Sequence, residues 1–366
     1  MDCLPLPEIS LDEFSRRLLQ QPRLPLSGSL ELTARCNLQC AHCYLNLPAT
    51  DRAVRGRELD LPEWRRIIAE IAAEGCLNLL FTGGEIFLRP DFPEIYLFAK
   101  QQGLLITLFT NGTLITKTIT DLLAEFPPYK MEITVYGRTR ETHEAVTRVP
   151  GSYDQCLAGI QQLLEHRIPL SLKTMVMTLN YHELGALADW AAALGLDFRF
   201  DAALSPRLDG SRKPCRLRIS PEQAVALDLA DPKRLAAWQD YLDKFSGPPA
   251  EPDKLFRCGA GLFAFHIDSY GSLSPCLMAR TPGYSLLQGS FAEGWGTFIP
   301  QLRQQKRQKD DPCAHCDLIS LCSSCPGWAQ LELGQWEGRV DYLCHTARLL
   351  AEALGVTSKP LEENYA

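Results

Sequence analysis

From residue 27 onward, short apolar runs alternate with longer stretches whose apolar positions recur every three to four residues. The runs at 27–32, 77–81, 104–109, 131–136, 170–177 and 198–203 have the length and content of strands. Residues 61–74 predict a helix. Trp64, Ile67, Ile68, Ile71 and Ala72 fall on one face, Asp60 and Glu63 make a capping box, and Gly75 stops the element. Further helices are predicted at 92–101, 116–126 and 182–194, with another from Ser152 that carries Leu157, Ile160, Leu163 and Leu164. Six strands with crossover helices and no fixed repeat predict an α/β fold, a partial (β/α)6 barrel over 27–204. In parallel barrels the chemistry sits at the C-terminal ends of the strands. Residues 1–26 form a lead-in, weakly amphipathic over 11–20. Beyond 204 the pattern is broken by Pro206, Asp209-Gly210 and Pro214, then reads as largely helical over 221–245 and as a proline-rich loop over 247–253, a bridge running to residue 257.

Composition narrows the class. The 366 residues are 46% hydrophobic and 22% charged, as in a soluble globular protein. A net charge of -7 gives no basic footprint for nucleic acid. No apolar run approaches the roughly 20 residues of a membrane span, and acids and prolines stand where a secretory signal would have its apolar segment. A cytoplasmic protein is expected. Fourteen cysteines in a reducing compartment point to metal or redox chemistry. Three lie at 36–43 and seven beyond residue 257.

Cys36, Cys40 and Cys43, spaced C-x3-C-x2-C, follow directly on the first predicted strand. Three thiolates this close can hold three corners of a cubane iron–sulfur cluster and leave the fourth iron open. A zinc site with His42 as fourth ligand, or a disulfide scaffold, is the competing reading. The spacing resembles the signature of the radical S-adenosylmethionine (SAM) enzymes. That resemblance implies a TIM-like partial barrel in which the open iron chelates SAM and an electron cleaves it to a 5′-deoxyadenosyl radical. In Thr82-Gly83-Gly84-Glu85, two glycines let a ligand approach the backbone and a carboxylate can accept from an ammonium group. The stretch resembles the family's motif for the SAM amino group. By the same resemblance Thr134 contacts the ribose or carboxylate, Arg148 pairs with the carboxylate, and His42 packs near the adenine. On the residues alone, Thr134 and Arg148 read equally as solvated loop residues, His42 as a surface histidine, and Thr110-Asn111-Gly112 as an ordinary turn.

The tail continues with Cys258, Gly271, Cys276, Cys313, Cys316, Cys322, Cys325 and Cys344. This order resembles the SPASM extension of peptide-modifying radical SAM enzymes, here over 258–350 with a short tail at 351–366. One departure is the two residues, not three, between Cys322 and Cys325. The resemblance implies two auxiliary 4Fe–4S clusters beside the SAM-binding one, three in all. Cys313, Cys316, Cys322 and Cys344 would hold one, and Cys258, Cys276 and Cys325 the other, its fourth ligand unassigned. A zinc ribbon is the alternative for 313–325. Cys3, Cys76 and Cys156 read as non-ligands, Cys156 as core. Cys215, beyond the sixth strand, is a candidate hydrogen-atom donor or missing ligand.

These readings converge on a radical SAM/SPASM enzyme that oxidatively modifies a ribosomally made precursor peptide by crosslink, thioether or backbone excision. Alternatives are an epimerase using Cys215, a sulfatase-maturing formylglycine enzyme, and a zinc-stabilised binding protein. The second is disfavoured because Leu277, not an aspartate, follows Cys276. Only 35 residues precede Cys36 and 22 follow Cys344, too few for a leader-gripping winged helix, so either a separate leader-binding partner or a substrate recognised without one is expected. A flavodoxin or ferredoxin is the expected electron donor. The basic tract at 303–309 reads as a solvated helix face.

Overall fold

The computed structural model describes residues 23–45, 47–245, 247, 251–308 and 313–356. Residues 1–22 of the expected lead-in, Cys3 among them, lie outside these. The chain divides into two compact units, residues 1–204 with 259–301, and 205–258 with 302–366.

The first unit is built on nine strands. Six are parallel and adjacent in chain order: β1 (Ser27–Thr33), β2 (Asn78–Gly83), β3 (Leu105–Thr110), β4 (Lys130–Thr134), β5 (Leu170–Met175) and β6 (Asp197–Asp201). Between them run α1 (Leu61–Ala73), α2 (Phe92–Gln101), α3 (Lys117–Glu125), α4 (Arg140–Thr147), α5 (Ser152–Glu165) and α6 (Leu184–Ala193). The expected elements are present within two or three residues at each end, and α4 is an addition that the sequence reading missed. The capping box of α1 forms in both directions, Glu63 N–H to Asp60 at 2.9 Å and Asp60 N–H to Glu63 at 2.8 Å.

Strand alternation sorts the side chains onto two faces. Leu30, Leu32, Leu79, Phe81, Ile106, Leu108, Met131, Ile133 and Leu172 form one core with Trp64, Ile67, Ile68 and Ile71 of α1 and with Cys156, Ile160 and Leu163 of α5. Each large side chain so buried contributes about 1.5–3 kcal/mol. The opposite face carries polar groups instead, among them Glu31, Thr82, Glu132, Thr134, Lys173 and Arg199.

The remaining three strands fall where the cysteine-rich tail was expected. β7 (Ala264–Ile267) pairs parallel to β1, Ser27 opposite Ala264, on the side away from β2. β8 (Ser272–Ser274) and β9 (Tyr284–Ser285) extend the sheet antiparallel. Phe265 and Ile267 join the core behind β1. A boundary at residue 258 therefore changes its meaning: residues 259–301 belong to the sheet of the first unit.

The second unit is helical. α7 (Pro221–Ala230) and α8 (Pro232–Phe245) replace the single expected run, split at Asp231-Pro232 because proline lacks the N–H that would continue the first helix. α9 (Pro326–Leu333) and α10 (Asp341–Ala353) follow. Val225, Leu318, Leu321, Ala347, Leu350 and Ala351 form its core.

Candidate active site

The loop that leaves β1 carries Cys36, Cys40 and Cys43 and is pinned at its middle. Gln39 N–H donates to Thr147 O at 3.0 Å and Ala41 N–H to Val146 O at 2.9 Å, so the end of α4 holds the loop in place. Cys43 N–H turns back to Cys40 O at 3.1 Å. Burial pushes the Cys36 thiol up to about 12, with Glu85 and Cys43 adding to the rise, and it raises Cys40 as well. Thiols so placed ionise only against a strong positive centre, which an iron cluster supplies. Among the described residues no three His, Cys, Asp or Glu side chains close on the point a single ion would occupy. A cubane takes one thiolate per iron, so three cysteines can hold three of its corners. The donor set fits the cluster.

Asn111, read from sequence as a plain turn residue, enters this site. Its Nδ2 donates to Cys36 Sγ at 3.7 Å and to Asn37 Oδ1 at 2.9 Å, while its backbone N–H donates to Glu85 at 2.9 Å. Leu38 N–H also donates to Cys36 Sγ, at 3.4 Å. Position was the available signal, since Asn111 follows β3 immediately at the strand end where parallel barrels collect their chemistry.

Glu85 is fully buried. Thr110 Oγ1, Asn111 N–H and Phe87 N–H all donate to it, at 2.8, 2.9 and 3.1 Å. An ionised carboxylate has about four lone-pair sites, which leaves one for an incoming ammonium. Burial nevertheless raises its pKa. The two glycines before it also meet a demand of the fold. A Cβ on Gly83 would overlap Thr33 O, one on Gly84 would overlap Arg35 O, and Gly83 has φ 128°. Gly84 N–H donates to Thr33 O at 2.8 Å and Glu85 N–H to Arg35 O at 2.9 Å. The backbone that approaches these glycines is the chain's own, at the root of the cysteine loop.

His42 stands edge-on to Tyr136, ring centroids 5.1 Å apart. Desolvation lowers the imidazole to about 4, so it is neutral at physiological pH, and its Nδ1 has no hydrogen-bond partner among the described residues. Tyr136 also contacts Cys40, so this tyrosine, noted from sequence only as a strand end, is part of the cysteine loop's wall. Thr134 ends β4 on the polar face, level with Lys173. Arg148 sits not in an open loop but at the left-handed C-cap of α4, φ 58°, with an exposed side chain. The structure thus gathers Cys36, Cys40, Cys43, His42, Gly83, Gly84 and Glu85 around one loop, sets Thr134 on the polar face of the sheet, and leaves Arg148 exposed at the end of α4.

Cys276 lies in the first unit, where Ala279 N–H donates to its sulfur at 3.4 Å. Cys258 and the later cysteines lie in the second. There Cys316, Cys322 and Cys344 feel one another's charge, and burial pushes Cys322 up to about 11. Cys258, Cys313, Cys322 and Cys325 line a cavity of about 240 Å³. Arg257 buttresses it by donating to Cys313 O and Ala314 O at 3.3 and 3.0 Å. Cys215 lines a separate cleft of the second unit with Arg212, Arg216, Arg218 and Tyr342. Burial raises its thiol, which keeps the S–H that a hydrogen donor needs.

Residues 30–191 match the model of the radical SAM superfamily. A PqqA peptide cyclase of Rhodopseudomonas palustris is 31% identical over 70% of this chain and 68% of its own. An AdoMet-dependent heme synthase of Methanosarcina barkeri is 35% identical over 45% of this chain, which spans only 46% of that relative. The crystal structure of Streptococcus suis SuiB bound to S-adenosylmethionine shares the fold, with a TM-score of 0.68, 16% identity and coverage of 92% of this chain and 84% of that one. No described helix is long and apolar enough to cross a membrane. With a parallel sheet of this order, three cysteines gathered at the mouth of β1 and these relatives, the chain belongs to the radical SAM superfamily, whose members use S-adenosylmethionine and a 4Fe–4S cluster.

Proposed function

We propose that this chain modifies a peptide by removing a hydrogen atom from it, most simply as a net oxidation that leaves a crosslink, a thioether or an excised backbone. The likeness to a peptide cyclase over two thirds of both chains carries the reading. When bound, SAM and its cluster supply the hydrogen-atom abstraction. The residues of the chain do the rest. Cys36, Cys40 and Cys43 hold the cluster. Gly83, Gly84 and Glu85 receive the amino group of SAM at the remaining lone pair of Glu85. His42, neutral and backed by Tyr136, offers a flat apolar edge to the adenine, while Thr134 and Arg148 meet the ribose or carboxylate. The polar lumen face positions the substrate C–H against the reacting carbon.

Two auxiliary clusters are part of the proposal, the first of them on Cys313, Cys316, Cys322 and Cys344 of the second unit. They would accept the electron that a net oxidation releases. Cys215 is the proposed hydrogen donor if the outcome is epimerisation instead. A separate leader-binding protein, a flavodoxin or ferredoxin donor and a cytoplasmic location complete the reading. The 35% identity to a heme synthase supports a second one, a small-molecule substrate in the same barrel.

Mass spectrometry of a short peptide encoded beside this gene, co-expressed with and without the enzyme, tests the proposal. Loss of two hydrogens indicates a crosslink, and loss of a residue-sized fragment indicates excision. An unchanged mass that gains one deuterium in heavy water indicates epimerisation. A peptide untouched even with its neighbouring partner protein present rejects the peptide reading in favour of the small molecule.

A further inference from the structure

We propose that the open cleft of the second unit lined by Cys215 and Arg216, with Lys213 beside it, binds an acidic stretch of the peptide substrate. This rests on the peptide reading given above.

The local chain sets the charge. Residues 205–219 hold five cations and one anion, in a chain that carries 37 basic and 44 acidic residues. Pro214–Leu217 form a single 3₁₀ turn, in which residues three apart eclipse, so Arg216 follows Lys213 on one side of it. Both side chains are exposed. The cleft measures about 520 Å³, and Arg212, Cys215, Arg216, Ile219, Pro221 and Tyr342 are among its lining residues.

The neighbouring charges already have partners. Glu332 of α9, its side chain 4% exposed, accepts from Arg218 at 2.6 and 3.0 Å and from Arg212 at 3.2 Å. Trp328 Nε1 donates to the same carboxylate at 3.0 Å. Asp209 accepts from Ser211 N–H at 2.8 Å, Glu222 stands 3.6 Å from His345, and Asp341 pairs with Arg339 at 2.8 Å. Among the described residues no side chain forms an ion pair or hydrogen bond with Lys213 or Arg216. These two cations can therefore meet an incoming anion without first breaking an internal bond, and the buried Arg218–Glu332 pair keeps the wall behind them fixed.

The lining chooses the occupant. Cations beside the apolar surface of Ile219 and Pro221 suit an extended chain in which acidic and apolar side chains alternate. A single-stranded nucleic acid binds by stacking its bases on open aromatic faces. Tyr342 is the aromatic residue of this lining, and the Arg218 guanidinium already lies over its ring at 4.7 Å.

The experiment uses the anaerobic, cluster-loaded enzyme and a fluorescein-labelled peptide of alternating glutamate and leucine. A glutamine–leucine counterpart and a single-stranded oligonucleotide are the other probes. Fluorescence anisotropy reads affinity, and alkylation of Cys215 by N-ethylmaleimide, followed by mass mapping, reads location. The glutamate peptide should bind, more weakly as salt rises. At twice its dissociation constant it should slow Cys215 alkylation about threefold. Lys213→Glu combined with Arg216→Glu should weaken binding about tenfold at an unchanged melting temperature. Unchanged affinity in that double variant, equal binding of the glutamine peptide, or Cys215 alkylated as fast with the peptide as without it overturns the proposal. Stronger protection by the oligonucleotide overturns it too, by giving the surface to nucleic acid. Binding needs no turnover, so the two readings fail separately. A precursor modified equally by the double variant and the parent enzyme rejects the cleft and keeps the peptide reading. A protected Cys215 with a precursor left untouched in co-expression rejects the maturase and keeps the acidic-peptide surface.

Discussion

Arg280, four residues beyond Cys276, forms an ion pair with Glu31 of β1, Nη2 to Oε1 at 2.5 Å and Nη1 to Oε2 at 2.9 Å. Tyr44, next to Cys43, donates to the same carboxylate at 3.0 Å, and Arg280 Nε donates to Leu277 O at 2.7 Å. The loop after β1 and the loop after Cys276 are thereby fastened to one buried carboxylate, 1% exposed. Glu31→Gln leaves the arginine buried without its hydrogen-bonded counter-charge and should destabilise the fold by about 3–5 kcal/mol. Glu31→Gln combined with Arg280→Met should recover most of that loss. Denaturant unfolding of the three variants decides it. Arg280 holds the carboxyl of Glu31 below its usual range, so this stabilisation is present above the unfolded carboxylate range and lost as pH falls below about 4.

Substitution at Gly84 should strike the cysteine loop before it strikes SAM. Gly84→Ala drives a methyl into Arg35 O, one residue ahead of Cys36. Purified variant should lose the cluster on Cys36, Cys40 and Cys43, about four irons per chain. Gly75→Ala is the control: Gly75 has φ 87°, which Gly84 does not share, but its Cβ would meet nothing within 4 Å. Full iron content in Gly84→Ala would mean that the loop yields at no cost.

Asn111→Leu removes the side-chain N–H aimed at Cys36 Sγ and leaves the backbone N–H to Glu85. Hydrogen bonds to cluster sulfurs stabilise the reduced, more negative state. The potential of this cluster should therefore become more negative in the variant, as read by a redox titration followed by electron paramagnetic resonance. An unchanged potential would show that the amide serves only Asn37.

Two buried histidines set a pH limit. Desolvation lowers His143 to about 4 and His266 to about 3, and His266 shares its Nδ1 with Ser29 Oγ at 2.8 Å. Their folded values lie below the unfolded value near 6.5, so the unfolded chain binds more protons between those limits. Stability should fall as pH drops from 6.5 towards 4, by roughly 1 kcal/mol per histidine per pH unit. Melting temperatures taken at pH 7, 6 and 5 test this, and His266→Gln should flatten the slope.

What could be read from the sequence was local. Helix α1 announces itself through Asp60, Glu63 and the spacing of Trp64, Ile67, Ile68 and Ile71, all within one stretch of chain. The cysteine spacing and Glu85 were legible for the same reason. What was hidden depends on partners far away in the chain. Ala264–Ile267 is four residues long and becomes a strand because β1 offers an edge. Arg280 looks like an ordinary loop arginine until Glu31 is placed beside it. That Gly83 and Gly84 also make room for the backbone of Thr33 and Arg35 was equally hidden, because that close approach is a tertiary fact.

The pairing of β7 with β1 has a consequence for how the protein is made. Ser29 and His266, neighbours in the finished sheet, are 237 residues apart in the chain. At a synthesis rate of about 5–20 residues per second, β1 waits on the order of ten seconds or more for its outer neighbour. Throughout that interval its edge is open, with the cysteine loop attached to an unfinished sheet, and an open edge recruits other chains. Contacts of such sequence separation also form slowly. Maturation thus has an order written into the topology: the sheet closes at β7, the Cys276 loop arrives with it, and only then does Arg280 reach Glu31.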